Sequence, residues 1–110
     1  MAGTAPKVLG QSAPLAATLT TLYTVPAATS AVASTITVCN QSSTPTKFRV
    51  SVAPAGAGDT ASQYLYYDVA IAGNDTFAAT FGISLATTDV VRCYATLATL
   101  SFSLFGVENS

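Results

Sequence analysis

The stretch VASTITVCNQSSTPTKFRVSVAPA, residues 32–55, decides the fold class. Ile36 and Val38 share one parity, and Phe48, Val50 and Val52 form a second alternating set. Thr35, Thr37, Lys47, Arg49 and Ser51 fill the positions between them. Period-two alternation puts the apolar set on one face of a strand and the polar set on the other. The break at residues 40–45, NQSSTP, is loop chemistry: Asn and Ser bond to nearby backbone, and Pro45 has no N–H to give a ladder. The pattern predicts an antiparallel hairpin at the centre of a β-sandwich, with Ile36, Val38, Phe48, Val50 and Val52 in the core.

Outward from this centre the same signals recur. Residues 1–6 read as a flexible N-terminal arm and residues 7–110 as a single domain. Residues 7–11 form a short strand in which Val8 is the best packing residue. Residues 16–25 form another, where the three-residue offset of Leu19 and Leu22 predicts a bulge near Thr20 and Thr21. Residues 54–59, PAGAGD, read as a flexible link. Residues 63–71, QYLYYDVAI, read as a strand, and AGND at 72–75 as a tight turn. Phe77, Ala79 and Phe81 then alternate, as do Leu100, Phe102 and Leu104, with Ser101 and Ser103 facing out. The tally is seven to eight short strands and no competing helix. The fold class is all-β: a single antiparallel β-sandwich, jelly-roll or Ig-like.

Charged residues make up 8% of the chain, against roughly 25% in ordinary domains. A free monomer keeps soluble with a mixed charged surface. So sparse a surface points to an assembly that covers much of it, with a hydroxyl-hydrated extracellular life as the alternative. The net charge of −1 leaves no electrostatic footprint for nucleic acid. No apolar run approaches the roughly 20 residues of a membrane span. The first residues lack the basic and apolar regions of a secretory signal, so synthesis in a cytoplasm is expected.

The chain has no histidine, which removes the commonest general base and metal ligand and every Ser-His-Asp or Cys-His arrangement. Asp59, Asp75 and Asp89 sit in turn-like sequence and read as backbone-bonding turn residues. Cys39 and Cys93 are too few for a structural zinc site. Cys39 shares the polar parity of Thr37 and Cys93 the inward parity of Val91, so both read as unpaired thiols. Asn40-Gln41-Ser42 and Asn74-Asp75-Thr76 match the glycosylation pattern, but their asparagines are read as turn residues. No catalytic residue, cofactor or metal is expected.

Tyr64, Tyr66 and Tyr67 put rings on both faces of one strand, so one face is core and the other a contact surface. Phe105 points away from Leu100, Phe102 and Leu104. Together these four aromatics predict an apolar patch of several hundred Å² that self-associates or meets a partner, burying at least about 1,000 Å² in total.

The segments TLYTVPAATSAVASTITVCNQSS, TKFRVSVAPAGA, YLYYDVAIAGNDTFAATFGISL and DVVRCYATLATLSFSLFGVE resemble a group of small virion proteins of tailed bacteriophages. The likeness spans about residues 9–108, in a pattern of strand, Cys-Asn turn, strand, Ala-Pro-Ala-Gly link and YLYYD strand. It implies a non-enzymatic β-sandwich module of the tail, collar or fibre apparatus. Such a module would be a homo-oligomer, a trimer or a ring, that joins other virion proteins and assembles in the bacterial cytoplasm. Capsid decoration on the major capsid protein and host-surface glycan binding are the alternatives.

Overall fold

Alternating sequences of this kind bury one face of each strand, and two such faces must meet to exclude water. The computed structural model, which describes residues 4–109, shows eight strands that do so. They are β1 (Thr4–Ser12), β2 (Thr20–Thr24), β3 (Ser30–Asn40), β4 (Thr46–Ala53), β5 (Tyr64–Ile71), β6 (Thr76–Leu85), β7 (Val90–Ala95) and β8 (Leu100–Asn109). One four-stranded sheet has the order β1-β8-β3-β6 and the other β2-β7-β4-β5. The pairing is nested and antiparallel: β1 with β8, β2 with β7, β3 with β6, β4 with β5. The roll closes where β3 also meets β8 and β4 meets β7. Of the two expected sandwich types, this is the jelly roll.

The central stretch is not a hairpin. β3 and β4 lie in opposite sheets, and the segment between them crosses from one to the other. Both apolar faces still turn to the core: Ile36, Val38, Phe48, Val50, Phe102 and Leu104 are all buried. Asn40 fixes the crossing. It is 1% exposed, donates through Nδ2 to Thr44 O (2.9 Å) and Ala72 O (3.2 Å), and accepts from Ser42 N (3.1 Å). The β5–β6 turn rests on the same crossing so closely that a Cβ on Gly73 would lie 2.1 Å from Ser43 O. Asn40 is thus a structural residue, its amide nitrogen occupied and buried. Asn74 has φ 54°, as the turn reading requires.

Several local expectations are corrected. Residues 4–6 of the expected arm belong to β1, paired with β8; residues 1–3 lie outside the described residues. The β1 ladder slips at Leu9, which packs against the core while Val8 is left 47% exposed. The bulge expected near Thr20 and Thr21 does form, with Leu22 as its extra residue, and Leu22 and Tyr23 are both buried as a result. Val52 and Phe77 pack on the core but are only partly buried. Ser51 faces outward yet is fully buried, because residues 54–63 fold back over that face rather than dangling as a link. Arg92, the cross-strand neighbour of Ser51, holds the segment through Ala57 O (2.9 Å) and Gly56 O (3.3 Å).

Candidate functional site

The returning 54–63 segment builds a site on the outer face of the β2-β7-β4-β5 sheet. Its centre is Arg49. On one side Tyr94 is its cross-strand partner in β7. On the other, the ladder with β5 steps from Phe48↔Val69 to Val50↔Tyr66, so that Tyr67 and Asp68 both stand opposite Arg49. Asp68 makes the extra step in the left-handed region, at φ 52°, as an extra residue in a bulge can. The Arg49 guanidinium carbon lies 4.1 Å from the Tyr67 ring centroid and 4.4 Å from that of Tyr94. Nε donates to Asp68 Oδ1 at 2.7 Å and Nη2 to Oδ2 at 3.3 Å. The planar cation is held by stacked rings and a forked carboxylate, a geometry specific to Arg.

Tyr64 packs edge-on against Tyr67, with ring centroids 5.1 Å apart, and its hydroxyl donates to Asp59 at 3.1 Å. The segment that carries Asp59 is tied down at both ends, by Gln63 Nε2 to Gly58 O (2.9 Å) and by Ala55 N to Asp89 Oδ1 (2.9 Å). Together Arg49, Asp59, Thr60, Ala61, Tyr64 and Tyr67 line an open hollow of about 520 Å³. Hydrogen bonding to Asp68 keeps Arg49 more firmly protonated than usual and holds Asp68 below the ordinary carboxylate range. Burial, then the bond to Asp59, raises the Tyr64 phenol. The site offers an exposed ring, a preorganised cation and a carboxylate. These are groups suited to binding.

The expected contact residues do not form one surface. Tyr64 and Tyr67 face out here, but Tyr66 turns inward and packs on Phe77 (5.4 Å) and Phe48 (6.3 Å). Tyr66 and Tyr67 face opposite ways by alternation, and the register shift at Leu65 turns Tyr64 outward although it shares the parity of Tyr66. Phe105 does point away from Leu104, but on the outer face of the other sheet. There, with Pro6, Lys7, Val8, Ser34 and Val107, it lines a second hollow of about 550 Å³. Phe105 is half-covered, by Val8 beside it in register. Of the acids read as turn residues, Asp75 and Asp89 do bond backbone: Thr76 N to Asp75, and Ala55 N and Ala86 N to Asp89. Asp59 bonds the Tyr64 hydroxyl instead.

Arg49, Tyr94 and Asp68 were missed as site residues because nothing in the sequence says that β4 runs between β5 and β7. The available signal was an Arg and an Asp, each on the polar side of its own strand. Cys39 and Cys93 are free thiols on different sheets. Among the described residues no group of Cys, Asp and Glu is placed to hold a metal ion, and no helix is long and apolar enough to cross a membrane. No known protein family, curated protein or solved structure matches the chain.

Proposed function

We propose that this chain is a non-enzymatic structural protein of a tailed bacteriophage particle, a jelly-roll module that oligomerises and joins other proteins of the tail, collar or fibre. The observation that carries the reading is the character of the surface. Four basic and five acidic side chains cover the whole chain, while Val8, Leu15, Leu65, Tyr67 and Leu97 stand exposed. Two outer sheet faces of this kind suit contact with neighbours better than free diffusion. The resemblance of four long segments to small virion proteins supplies the class of particle. Mass spectrometry of purified particles tests it: the chain is a stoichiometric component, in far fewer copies than the major capsid protein. A copy number matching that protein favours the decoration role, and absence from the particle overturns both.

The Arg49 hollow favours one second reading, a host-surface glycan site. An exposed ring for the C–H face of a sugar stands beside Asp59 and Arg49, which can accept from and donate to its hydroxyls. A glycan array with wild type and with Tyr67→Ala decides it. Binding lost in the variant supports a site, and no binding by wild type removes this reading.

A further inference from the structure

A strand at the edge of a sheet presents unpaired N–H and C=O groups, and folded proteins guard such edges. This sandwich has four: β1 and β6 in one sheet, β2 and β5 in the other. Three are guarded. β1 carries Pro6, which has no N–H, and exposed Lys7, and its ladder slips at Leu9. β2 is 5 residues long, slips at Leu22 and lies against β1. β5 slips twice along β4, with Asp68 in the left-handed region. β6 has only one such device, a bulge in which Phe81 and Gly82 together oppose Ser34 of β3. Between Thr76 and Leu85 there is no charged residue, no proline and no positive φ. Burial alternates without a break from Thr76 to Ser84. That bulge leaves the alternation of its side chains intact.

The two sides of the sandwich also differ. β1 against β2 closes one side, whereas β5 and β6 do not come together along their lengths after the 72–75 turn. Phe77, Phe81 and Ile83 of β6 and Tyr66 and Val69 of β5 are therefore only partly buried. An apolar strip lies directly beneath the bare edge.

We infer that β6 pairs antiparallel with β6 of a second copy of this chain, about a two-fold axis at Thr80, so that one continuous sheet runs through both subunits. The strand is its own complement. With the axis at Thr80, Ala79 stands opposite Phe81 and Phe77 opposite Ile83 on the inner face. On the outer face Ala78 meets Gly82 and Thr76 meets Ser84, so small residues face small ones and hydroxyls face hydroxyls, with no like charges to repel. Nine paired residues at about 3.4 Å each run about 30 Å. A strip that long and about 15 Å deep covers about 450 Å² per copy, or about 900 Å² in all, near the lower end for specific contacts. The dimer is accordingly weak in dilute solution and favoured in an assembly. A peptide of another protein fits a bare edge too, but gives no self-association.

Sedimentation of the whole chain from about 5 to about 500 µM decides the matter. The wild-type mass rises from one chain toward two. Thr80→Lys and Thr80→Glu, both on an exposed position, each stay at one, and an equimolar mixture of them pairs because Lys meets Glu at the axis. Thr18→Lys, on an exposed loop position away from β6, leaves wild-type pairing intact. A wild type that stays single throughout, or a dimer that survives Thr80→Lys, overturns the inference. Should the Thr80 variants not fold, amide exchange of wild type decides it instead: β6 protection that rises with concentration supports pairing, and protection that does not rise overturns it. The inference builds on the oligomer reading above. Its failure leaves the particle role to be decided separately by particle composition.

Discussion

Phe48 and Phe77 meet across the sandwich with ring centroids 5.0 Å apart, although they belong to opposite sheets. Phe102 and Tyr66 close the cluster around Phe48, at 6.1 and 6.3 Å. Phe48 is fully buried and Phe77 only partly so, which sets the order of their effects. Phe48→Ala opens a cavity between the sheets and costs about 3–5 kcal/mol. Phe77→Ala, beside the open side, costs about half as much because solvent and neighbours can fill the gap. Chemical denaturation of both variants checks the order, and equal losses would show that the β6 side is closed in solution.

Asn40→Ala removes two donors from Thr44 O and Ala72 O and the acceptor of Ser42 N. Leaving such partners without hydrogen bonds in a buried place costs about 3 kcal/mol. Asn40→Asp rescues little, since a carboxylate can accept from Ser42 but donates to neither carbonyl. Equilibrium unfolding measures both variants. A loss below about 1 kcal/mol would mean that the crossing between sheets is held by something other than Asn40.

How much of this was legible follows from what alternation encodes. It fixes which face of a strand is buried, so Ile36, Val38, Phe48, Val50, Phe102 and Leu104 were readable from spacing alone. It does not fix which strand lies alongside. The five residues between Asn40 and Thr46 can turn a hairpin or cross a sandwich, and the choice rests on Asn40 hydrogen bonds to Ala72, far along the chain. The slip at Leu22 shows in the offset of Leu19 and Leu22, whereas the slip at Leu9 is marked only by the adjacent Gly10, which is why Val8 reads as core and is exposed. The Arg49 site needed two adjacencies, β4 with β7 and β4 with β5, and a bulge at Asp68. Only the tyrosines on its rim announced themselves.

The two thiols differ in reactivity. Burial pushes the Cys93 thiol up to about 11, against a smaller opposing effect of its hydrogen bond with Ser12. Cys93 is fully buried and Cys39 is not, and only a thiolate in reach of reagent reacts. At mildly alkaline pH a disulfide reagent such as Ellman's modifies Cys39 alone in the native protein, and both thiols after unfolding. Two equivalents released rapidly from the folded chain would contradict the buried position of Cys93.

Glu108 joins both sheets at one end of the sandwich. Its Oε1 takes Lys7 Nζ at 2.9 Å, and its Oε2 takes a short hydrogen bond from the Tyr23 hydroxyl. Tyr23 belongs to β2 and Glu108 to β8, so this contact links strands that no ladder joins. The bond from Tyr23, then that from Lys7, lowers the Glu108 carboxyl below its usual value. Burial first, and then Glu108, raises the Tyr23 phenol well above the ordinary tyrosine range. The signs follow from linkage. The lowered carboxyl contributes stability that is present above about pH 4.3, the unfolded value for Glu, and is lost as pH falls through the folded value beneath it. The raised phenol contributes stability present below about pH 10 and lost as pH rises beyond it. Glu108→Gln should therefore cost about 1–2 kcal/mol at neutral pH and flatten the acid limb of the stability profile. Tyr23→Phe should flatten the acid limb in part and the alkaline limb as well. In an absorbance titration the wild type shows a late step from Tyr23, well beyond the ordinary tyrosine range, and Tyr23→Phe removes that step. If the late step persists in Tyr23→Phe, the link between the sheets at Glu108 is not made by this hydroxyl.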